Sequence, residues 1–434
     1  MEEKIMAEHK EEKGNGQGMD RRTFLKTSGL ATGALLGGFS FVRRAQAQQT
    51  GPIKLGFIAP LTGPYATEAK DQQAGAELAV AQINAAGGVL GRKVEILIRD
   101  DKLKGDEAAR RAKELIESEG VHLMAGVLSA PNQLAVNEQC KFNGIPYMST
   151  SQSNEIAMRP DNSIYTYHEA LDPYQSTQAF GRYIAKNFGK RWYFLTMDYA
   201  YGWQMTDGFR RIGKEYKVLD VGESKHPLGT SDFSQYMSRI LAAKPDVLFL
   251  NNFGKDQVNS IKQVASYGLK KKMQVVSPIL LISSRMGAGE EASAGVVGGS
   301  SFYWELDHPT AKEFVRAFQK TFGRPPIDYA GYSYSGVKEL LSGVNRAGSL
   351  DPVKLAEAIE GRTYDNYKGK QWWRPCDHQS QQDFFVIKSK KPKSEYDVFQ
   401  VIGTISGADQ KLLRTCVEVG QDPNNPIRSG LIKK

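Results

Sequence analysis

One stretch near the start of the chain constrains the fold most, because its hydrophobic period changes twice. Residues 53–57 and 94–98 alternate apolar side chains as β-strands do, whereas residues 75–86 place them three or four apart on one helix face. Gly87-Gly88 stops that helix. Such a crossover joins two parallel strands. Ligands of parallel sheets lie beyond the carboxyl ends of strands, so the Thr62–Tyr65 loop and Asp100-Asp101 are expected at a ligand site.

The alternation of strands and helices continues along a chain of 434 residues, which is too long for one ordinary core. A first series extends to His168 and a second begins at Pro173. The sequence therefore predicts an α/β fold of two doubly wound, Rossmann-like lobes. Helices predicted beyond Thr310 are followed only by short strands, so we expect them to cover one of these lobes.

The N-terminus has the pattern of an export signal. Arg21-Arg22-Thr23-Phe24-Leu25-Lys26 precedes a Gly-rich apolar run, residues 29–42, and then Ala45-Gln46-Ala47. The paired arginines resemble a twin-arginine leader, although Asp20 stands where Ser or Thr is usual. A membrane anchor is the alternative, but the run is shorter than the ~20 residues of a spanning helix. We expect residues 1–47 to be a signal peptide cleaved after Ala47, twin-arginine machinery to export the chain, and the mature protein to be periplasmic.

Three cysteines follow the predicted signal peptide. Cys140 lies in an apolar helix pattern and is expected to be a buried thiol. Cys376 and Cys416 are the candidate disulfide pair in an oxidising compartment. A bond between them would close a loop of about 40 residues and contribute roughly 3 to 4 kcal/mol to the free energy of unfolding in the chain-entropy model.

The sequence lacks the residue patterns that are typical of several functional classes. The net charge of +9 is spread along the chain, which does not indicate nucleic-acid binding. Cys376 and His378 are too few for a metal site, and Gly287-Ala288-Gly289 is not a dinucleotide fingerprint. No nucleophile motif accompanies the 6 His residues. We therefore expect no metal, no cofactor and no enzymatic activity.

An ordered set of motifs resembles the leucine-family substrate-binding proteins of ABC transporters. The set comprises Leu61-Thr62-Gly63-Pro64-Tyr65, the helix at 74–80, residues 83–95, Arg99-Asp100-Asp101, Asp198-Tyr199-Ala200-Tyr201-Gly202, Thr230-Ser231-Asp232-Phe233 and Lys244-Pro245-Asp246-Val247. The resemblance implies a type I periplasmic-binding fold with three crossovers between two closing lobes. We place the N-terminal lobe at 51–171 plus 301–383 and the C-terminal lobe at 172–300 plus 384–434. The implied partners are a small-molecule ligand and ABC permease subunits, and a monomer is expected.

Polar residues follow two neighbouring strands of the first predicted lobe. Helix N–H groups and the Ser129 hydroxyl are expected at one strand tip, and a second run of donors and acceptors, residues 149–154, follows the next strand. In the resembled family these two loops hold the ligand's carboxylate. The alternative is that the serines only cap helices. The predicted ligand-binding residues on this side are Tyr65, Ser129, Ala130, Asn132, Gln152 and Ser153.

Strand tips of the second predicted lobe contribute Tyr199, Tyr201, Asn252, Phe253 and Ile279. Ile279 matches the family position at which amino-acid binders carry a Glu for the ligand's ammonium. A buried ammonium without a carboxylate is unfavourable by several kcal/mol, so this departure argues against an amino acid. Together with Tyr65 and Tyr147, these aromatic residues favour a carboxylate or amide with an aromatic or apolar body, although ordinary packing is the alternative for each. Glu68 is either a substitute ammonium partner or a solvated residue at a helix start.

We therefore predict a periplasmic solute-binding component of an ABC importer that captures a small carboxylate, amide or amino-acid-like ligand, with an aromatic or apolar body, in a cleft between the lobes. Two alternatives stay open at this point: a ligand sensor of the same fold, and an exported enzyme. Sequence alone does not name the ligand.

Overall fold

The structure is a computed structural model that describes residues 51–420 apart from the side chain of Gln410. The predicted signal peptide and residues 421–434 of the predicted C-terminal lobe lie outside the described residues. Within residues 51–420, no helix is both long enough and apolar enough to cross a membrane.

The first sheet contains five strands in the order β2-β1-β3-β4-β5, and every neighbouring pair is parallel. Its strands are β1 (Ile53–Ala59), β2 (Val94–Asp100), β3 (Leu123–Gly126), β4 (Tyr147–Ser149) and β5 (Thr166–His168). The connecting helices are α1 (Ala66–Ala85), α2 (Gly105–Lys113), which continues as a π-helix over Glu114–Ser118, and α3 (Ala130–Asn143). The predicted parallel pairing of β1 with β2 is confirmed.

Helices cover both faces of this sheet, which explains why β1 is apolar at nearly every position. Leu55 and Phe57 belong to the apolar cluster that includes α1, whereas Ile58 packs with Leu115 and Val136 on the opposite face. Cys140 lies in that second cluster and is fully buried, as predicted. Burial raises the pKa of its thiol.

The second sheet contains seven strands in the order β15-β14-β10-β9-β8-β6-β7. Its strands are β6 (Arg191–Met197), β7 (Leu219–His226), β8 (Val247–Asn251), β9 (Gln274–Ser277), β10 (Val297–Ser300), β14 (Phe384–Ser389) and β15 (Phe399–Ile405). The pairs β10–β14 and β14–β15 are antiparallel, and the others are parallel. The helices are α4 (Pro173–Asn187), α5 (Ala200–Glu215), α6 (Ser234–Ala243), α7 (Gly254–Ser266), α8 (Ile282–Ala288) and α9 (Glu290–Ser293).

The sequence patterns did not predict β10, which reads Val-Gly-Gly-Ser and has low intrinsic strand preference. The glycines are there because neighbouring groups approach the backbone closely. A Cβ on Gly299 would lie 2.3 Å from the Pro278 carbonyl oxygen, and one on Gly298 would lie 2.1 Å from the Leu280 Cβ. Close packing therefore selects Gly in the middle of this sheet.

The tail helices cover the first sheet, as predicted. They are α10 (Pro309–Phe322), α11 (Asp328–Ala347) and α12 (Pro352–Ile359). The Ala330 N–H donates to the Asp71 carboxylate over 2.8 Å, and the Tyr334 hydroxyl donates to Gln82 over 2.7 Å, so α11 is bound along α1. A small antiparallel sheet that was not predicted follows: β11 (Thr363–Tyr364), β12 (Gln371–Trp373) and β13 (Ser380–Gln381).

The chain passes between the two large sheets after β5, after β10 and after β13. Buried polar side chains meet at these crossovers. Glu169 accepts hydrogen bonds from Gln371 and Tyr364, yet burial raises its pKa to about 7. Lys368 donates to the Ser301 carbonyl oxygen and to Gln382, and burial lowers its pKa to about 7. The lobe boundaries given above remain a prediction.

Cys376 and Cys416 are joined by a disulfide in the structure. The bond ties the loop after β12 to the last described residues. Nearby, Arg374 pairs with Asp377 and donates to the Arg414 carbonyl oxygen. A disulfide and a hydrogen bond therefore link parts of the chain that are distant in sequence.

Candidate ligand-binding site

A cavity of about 20 Å³ lies where strand tips of the two large sheets face each other. Loops after β1, β3 and β4 form one side, loops after β6 and β8 form the other, and α11 contributes one residue. The lining residues are Tyr65, Leu128, Ser129, Ala130, Ser151, Gln152, Tyr199, Tyr201, Phe253 and Tyr329. A space of this size holds about one water molecule.

The first-sheet side of the cavity is polar. Ser129 caps α3, and its Oγ accepts a long 3.4 Å hydrogen bond from the Asn132 N–H. The positive end of the α3 dipole therefore lies at Ser129 and Ala130. Gln133 donates to the Ser149 Oγ over 2.5 Å and to the Ser151 carbonyl oxygen over 3.2 Å, which ties the two polar loops together. This arrangement suits an anionic or carbonyl oxygen.

Gln152 Oε1 and Tyr201 Oη are buried without a hydrogen-bond partner, as is Ser153 Oγ next to Gln152. A buried polar group without a partner is unfavourable by about 1 to 3 kcal/mol. Gln152 and Tyr201 also line the cavity. Both are therefore available to a ligand that supplies matching polar groups.

The second-sheet side is aromatic, and its rings contact the first-sheet side. Phe253 packs edge-on against Tyr65, with ring centroids 4.9 Å apart, and against Tyr329 at 5.6 Å. The hydroxyl groups of Tyr65 and Tyr199 are 3.2 Å apart. Burial raises the pKa of Tyr199 to about 12 and that of Tyr65 well above its usual value, so both phenols are neutral near pH 7.

Further contacts join the two sides at the rim. The Gln204 side chain accepts from the Asn154 N–H over 2.8 Å and donates to the Glu155 carboxylate over 2.6 Å. Gly254 has a φ of +58°, and a Cβ at that position would lie 2.8 Å from the Tyr65 ring. The sides therefore meet closely enough to select Gly at the start of α7.

Seven of the predicted ligand-binding residues lie together around the cavity, and the other four do not line it. Asn132 and Ser153 are buried behind the polar loops. Asn252 points away from the cavity and donates to the Ser260 Oγ over 3.1 Å. Ile279 lines an adjoining cavity of about 10 Å³. Ligand contact by each of these residues remains a prediction.

Three expectations around the site require correction. Tyr147 is fully buried on the far face of the first sheet, where its hydroxyl donates to the Gly126 carbonyl oxygen over 2.9 Å. Asp100 accepts hydrogen bonds from Leu61 N–H and Thr62 Oγ1, so it orders the loop and does not line the cavity. Glu68 is not solvated: it is 4% exposed and accepts a 2.6 Å hydrogen bond from Ser283.

Leu128 and Tyr329 are lining residues that sequence reasoning missed, and Ser151 belongs to the predicted polar run 149–154 but was not singled out as a ligand contact. Ser151 and Leu128 lie next to predicted residues, but no sequence pattern indicates which side chains of a loop face the cavity. Tyr329 comes from α11, far along the chain from the other lining residues. The sequence around Tyr329 has the apolar pattern of a helix that packs against a sheet.

Two open α/β sheets whose strand tips enclose a small cavity define a two-lobed solute-binding protein of the type I periplasmic-binding class. The chain belongs to the periplasmic binding protein family, whose sequence profile matches residues 52–394. The predicted family and fold class are thereby confirmed. The family implies a periplasmic location.

Relatives agree with this assignment. The chain is 26% identical over 353 residues to Leu/Ile/Val-binding protein homolog 7 of Brucella suis, covering 76% of this chain and 84% of the relative. It is 26% identical to an amino acid ABC transporter substrate-binding protein from Pseudomonas fluorescens, with a TM-score of 0.78 and coverage of 86% and 99%.

A third relative was solved with a bound ligand. It is a solute binding protein of an ABC transporter from Rhodopseudomonas palustris, in complex with 3,4-dihydroxy benzoic acid. Identity is 26%, the TM-score is 0.75, and the match covers 82% of this chain and 98% of that one. The chain is thus an ABC-type substrate-binding protein and not an enzyme.

Proposed function

We propose that this protein captures a small carboxylate or amide with an aromatic or apolar body and delivers it to the permease subunits of an ABC importer. The supporting observation is the composition of the cavity. Its described lining contains hydroxyl, amide and aromatic groups but no acidic side chain. A ligand oxygen fits the Ser129 side, and a ring fits among Tyr65, Phe253 and Tyr329.

The Rhodopseudomonas palustris relative supports this ligand class, because its ligand joins a carboxylate to an aromatic ring. An amino acid is the second candidate, favoured by the names of the Brucella suis and Pseudomonas fluorescens relatives. The ammonium of an amino acid lies beside its carboxylate, at the Ser129 end, and would find no charged partner in the main cavity. That absence lowers affinity by perhaps 2 to 5 kcal/mol, or roughly 30-fold to several thousand-fold.

Calorimetry decides between the two candidates. The panel is benzoate, 3,4-dihydroxybenzoate, a branched keto acid, a short aliphatic amide and leucine. We expect an aromatic acid to bind at least about 30-fold more tightly than leucine. Submicromolar binding of leucine, together with weak binding of the aromatic acids, would contradict the proposal.

The ligand should close the cleft. In this proposal, residues 51–171 plus 301–383 move as one lobe and residues 172–300 plus 384–434 as the other, hinged at the three crossovers. Small-angle scattering should show a smaller radius of gyration when the tightest ligand of the panel is added, and should also report the mass of the predicted monomer. An unchanged radius at saturating ligand counts against this hinge.

Export concerns residues outside the described range. We propose that the mature chain begins at Gln48 and that transport requires both Arg21 and Arg22. Replacement of the arginine pair by lysines should retain the precursor in the cytoplasm. N-terminal sequencing of the exported protein checks the cleavage site, and full export of the lysine variant would refute the twin-arginine route.

A further inference from the structure

Asp328 is a buried carboxylate beside the main cavity that the proposed function does not use. It begins α11 and is 4% exposed. Its Oδ1 accepts a 2.7 Å hydrogen bond from the Ser300 Oγ. Its Oδ2 is buried and has no hydrogen-bond partner. A carboxylate oxygen left in this state is available to a donor that enters from the cleft.

Asp328 lies where a donor group of the ligand could reach it. Asp328 and Ile279 line the adjoining cavity of about 10 Å³. That cavity shares Gln152 and Tyr329 with the main one, so the two spaces adjoin. Ser129 lines only the main cavity. A ligand whose oxygens lie near Ser129 would therefore present the far end of its body towards Asp328.

The electrostatic surroundings also fit a donor. Burial raises the pKa of Asp328 to about 7, and the negative charge of Asp71 adds to this, while the Ser300 hydroxyl and the N–H groups of Asp328 and Ile282 lower it. Asp71 itself is paired with Arg324 over 2.9 Å. No described lysine or arginine lines the adjoining cavity to neutralise Asp328. A donor from the ligand would stabilise the ionised carboxylate.

An interaction with the helix dipole explains part of this arrangement. Asp328 lies in the first turn of α11, where a negative charge interacts favourably with the helix dipole. The Ile282 N–H at the start of α8 also favours the ionised side chain. An asparagine would keep the shape and an oxygen that can accept from the Ser300 hydroxyl, but it would remove the charge and place an amide in the adjoining cavity. The loss of stability in Asp328→Asn therefore measures the dipole interaction, and the loss of donor preference measures the ligand contact.

We infer that Asp328 contacts the ligand and accepts a hydrogen bond from a hydroxyl or amino group at the end opposite the ligand's carboxylate. This inference rests on the proposed function and narrows the ligand to a carboxylate with a donor on its far end. It also assigns Ile279 a role as an apolar wall beside that donor.

The test compares benzoate, 4-hydroxybenzoate and 4-aminobenzoate by calorimetry in the full mature protein and in Asp328→Asn. The unmodified protein should bind a substituted ring at least about tenfold more tightly than benzoate, because a hydrogen bond to a charged group has that strength. In Asp328→Asn the preference should fall below about threefold while benzoate affinity changes little. Glu339→Gln is the matched control: Glu339 is a buried carboxylate on the same helix, paired with Arg346 and Arg362, and it should leave the preference intact.

Each outcome decides the question. Equal binding of the three acids by the unmodified protein, or a preference that survives Asp328→Asn, overturns the role of Asp328 and leaves the proposed function standing. Failure of all three acids to bind overturns the inference together with the aromatic form of the proposed ligand. If circular dichroism shows that Asp328→Asn does not fold, Asp328→Ser is the second variant, and the comparison within the unmodified protein still applies.

Discussion

The two sides of the cleft are stabilised in different ways. On the first-sheet side, the Gln133 side chain donates hydrogen bonds to Ser149 and Ser151, and these contacts join α3 to the chain around the end of β4. On the second-sheet side, Phe253 and Tyr199 make their contacts with Tyr65 across the cleft. In the proposed closure, the polar groups on the first side are positioned beforehand, whereas the aromatic contacts form as the lobes close. We expect the first side to set which ligand is captured and the second to set how long it is held.

The largest expected effect comes from the aromatic side. Phe253→Ala removes a ring that packs on both Tyr65 and Tyr329 and lines the cavity, and truncating a central aromatic residue of a binding site weakens binding by about 2 to 4 kcal/mol. Affinity for the tightest aromatic acid of the panel should fall at least about 30-fold, mainly through faster dissociation in stopped-flow experiments. Trp203→Ala, at a ring that is 44% exposed, is the control. An unchanged dissociation rate in Phe253→Ala would contradict the division of roles.

A smaller loss is expected on the polar side. Ser129→Ala removes a hydroxyl at the cavity and a long cap of α3, so affinity should fall about tenfold and stability by about 0.5 to 1 kcal/mol. Asp351 caps α12, because its Oδ1 accepts hydrogen bonds from the Val353 and Lys354 N–H groups, both at 3.0 Å. Asp351→Ala removes this cap. This control should lose similar or greater stability with unchanged affinity. Equal affinity losses in both variants would mean that Ser129 acts only as a cap.

Closure itself is tested by Gly254→Ala. The new Cβ would meet the Tyr65 ring, and a φ of +58° is unfavourable for alanine by about 1 kcal/mol or more. We expect about a fivefold to tenfold loss of affinity and a larger radius of gyration with ligand. Gly268→Ala has the same backbone problem at φ +72° with no atom within 4 Å, so it should lose stability alone. If the two variants bind equally well, contact across the cleft does not limit closure.

The smallest expected effect concerns one hydrogen bond across the cleft. Tyr199→Phe removes the hydroxyl that is 3.2 Å from that of Tyr65 and should weaken binding about twofold to fivefold. Tyr193→Phe is the control, because its hydroxyl is 2.8 Å from Ser224 Oγ within the second-sheet region. Isothermal titration at pH 7 measures both. A larger loss in the control would show that the ring positions depend on the sheet more than on the cleft.

The sequence predicted the elements whose apolar pattern is complete and missed those determined by close packing. Strands such as β6 and β8 are apolar on both faces, so pattern and structure agree. By contrast, β10 contains two glycines, and β11 and β13 have two residues each, too short for any period. Side-chain direction was the other limit: Asn252 and Phe253 are adjacent, yet only Phe253 lines the cavity.

Residues contributed from a distance account for the remainder of the site. Tyr329 and Asp328 lie in a helix that covers the first sheet, and nothing in the local pattern distinguishes them from packing residues. Their position depends on the Asp71 carboxylate, which accepts from the Ile327 and Ala330 N–H groups and so holds the start of α11 against α1. That contact joins residues more than 250 positions apart. No local sequence pattern encodes a contact at that separation.

The small volume of the main cavity has a consequence for affinity. At about 20 Å³ it has no room for a benzoate-sized molecule, because Tyr65, Phe253 and Tyr329 fill the space with one another. The protein's own side chains thus act as a competitor that is always present at the site. If the lobes part as proposed, only the open fraction of molecules can accept a ligand, and the apparent dissociation constant equals the intrinsic one divided by that fraction. Weakening the contacts among these rings therefore raises the open fraction of the empty protein and also loosens the complex. The measured affinity reflects the difference, and a variant in which the first effect is larger would bind the ligand more tightly.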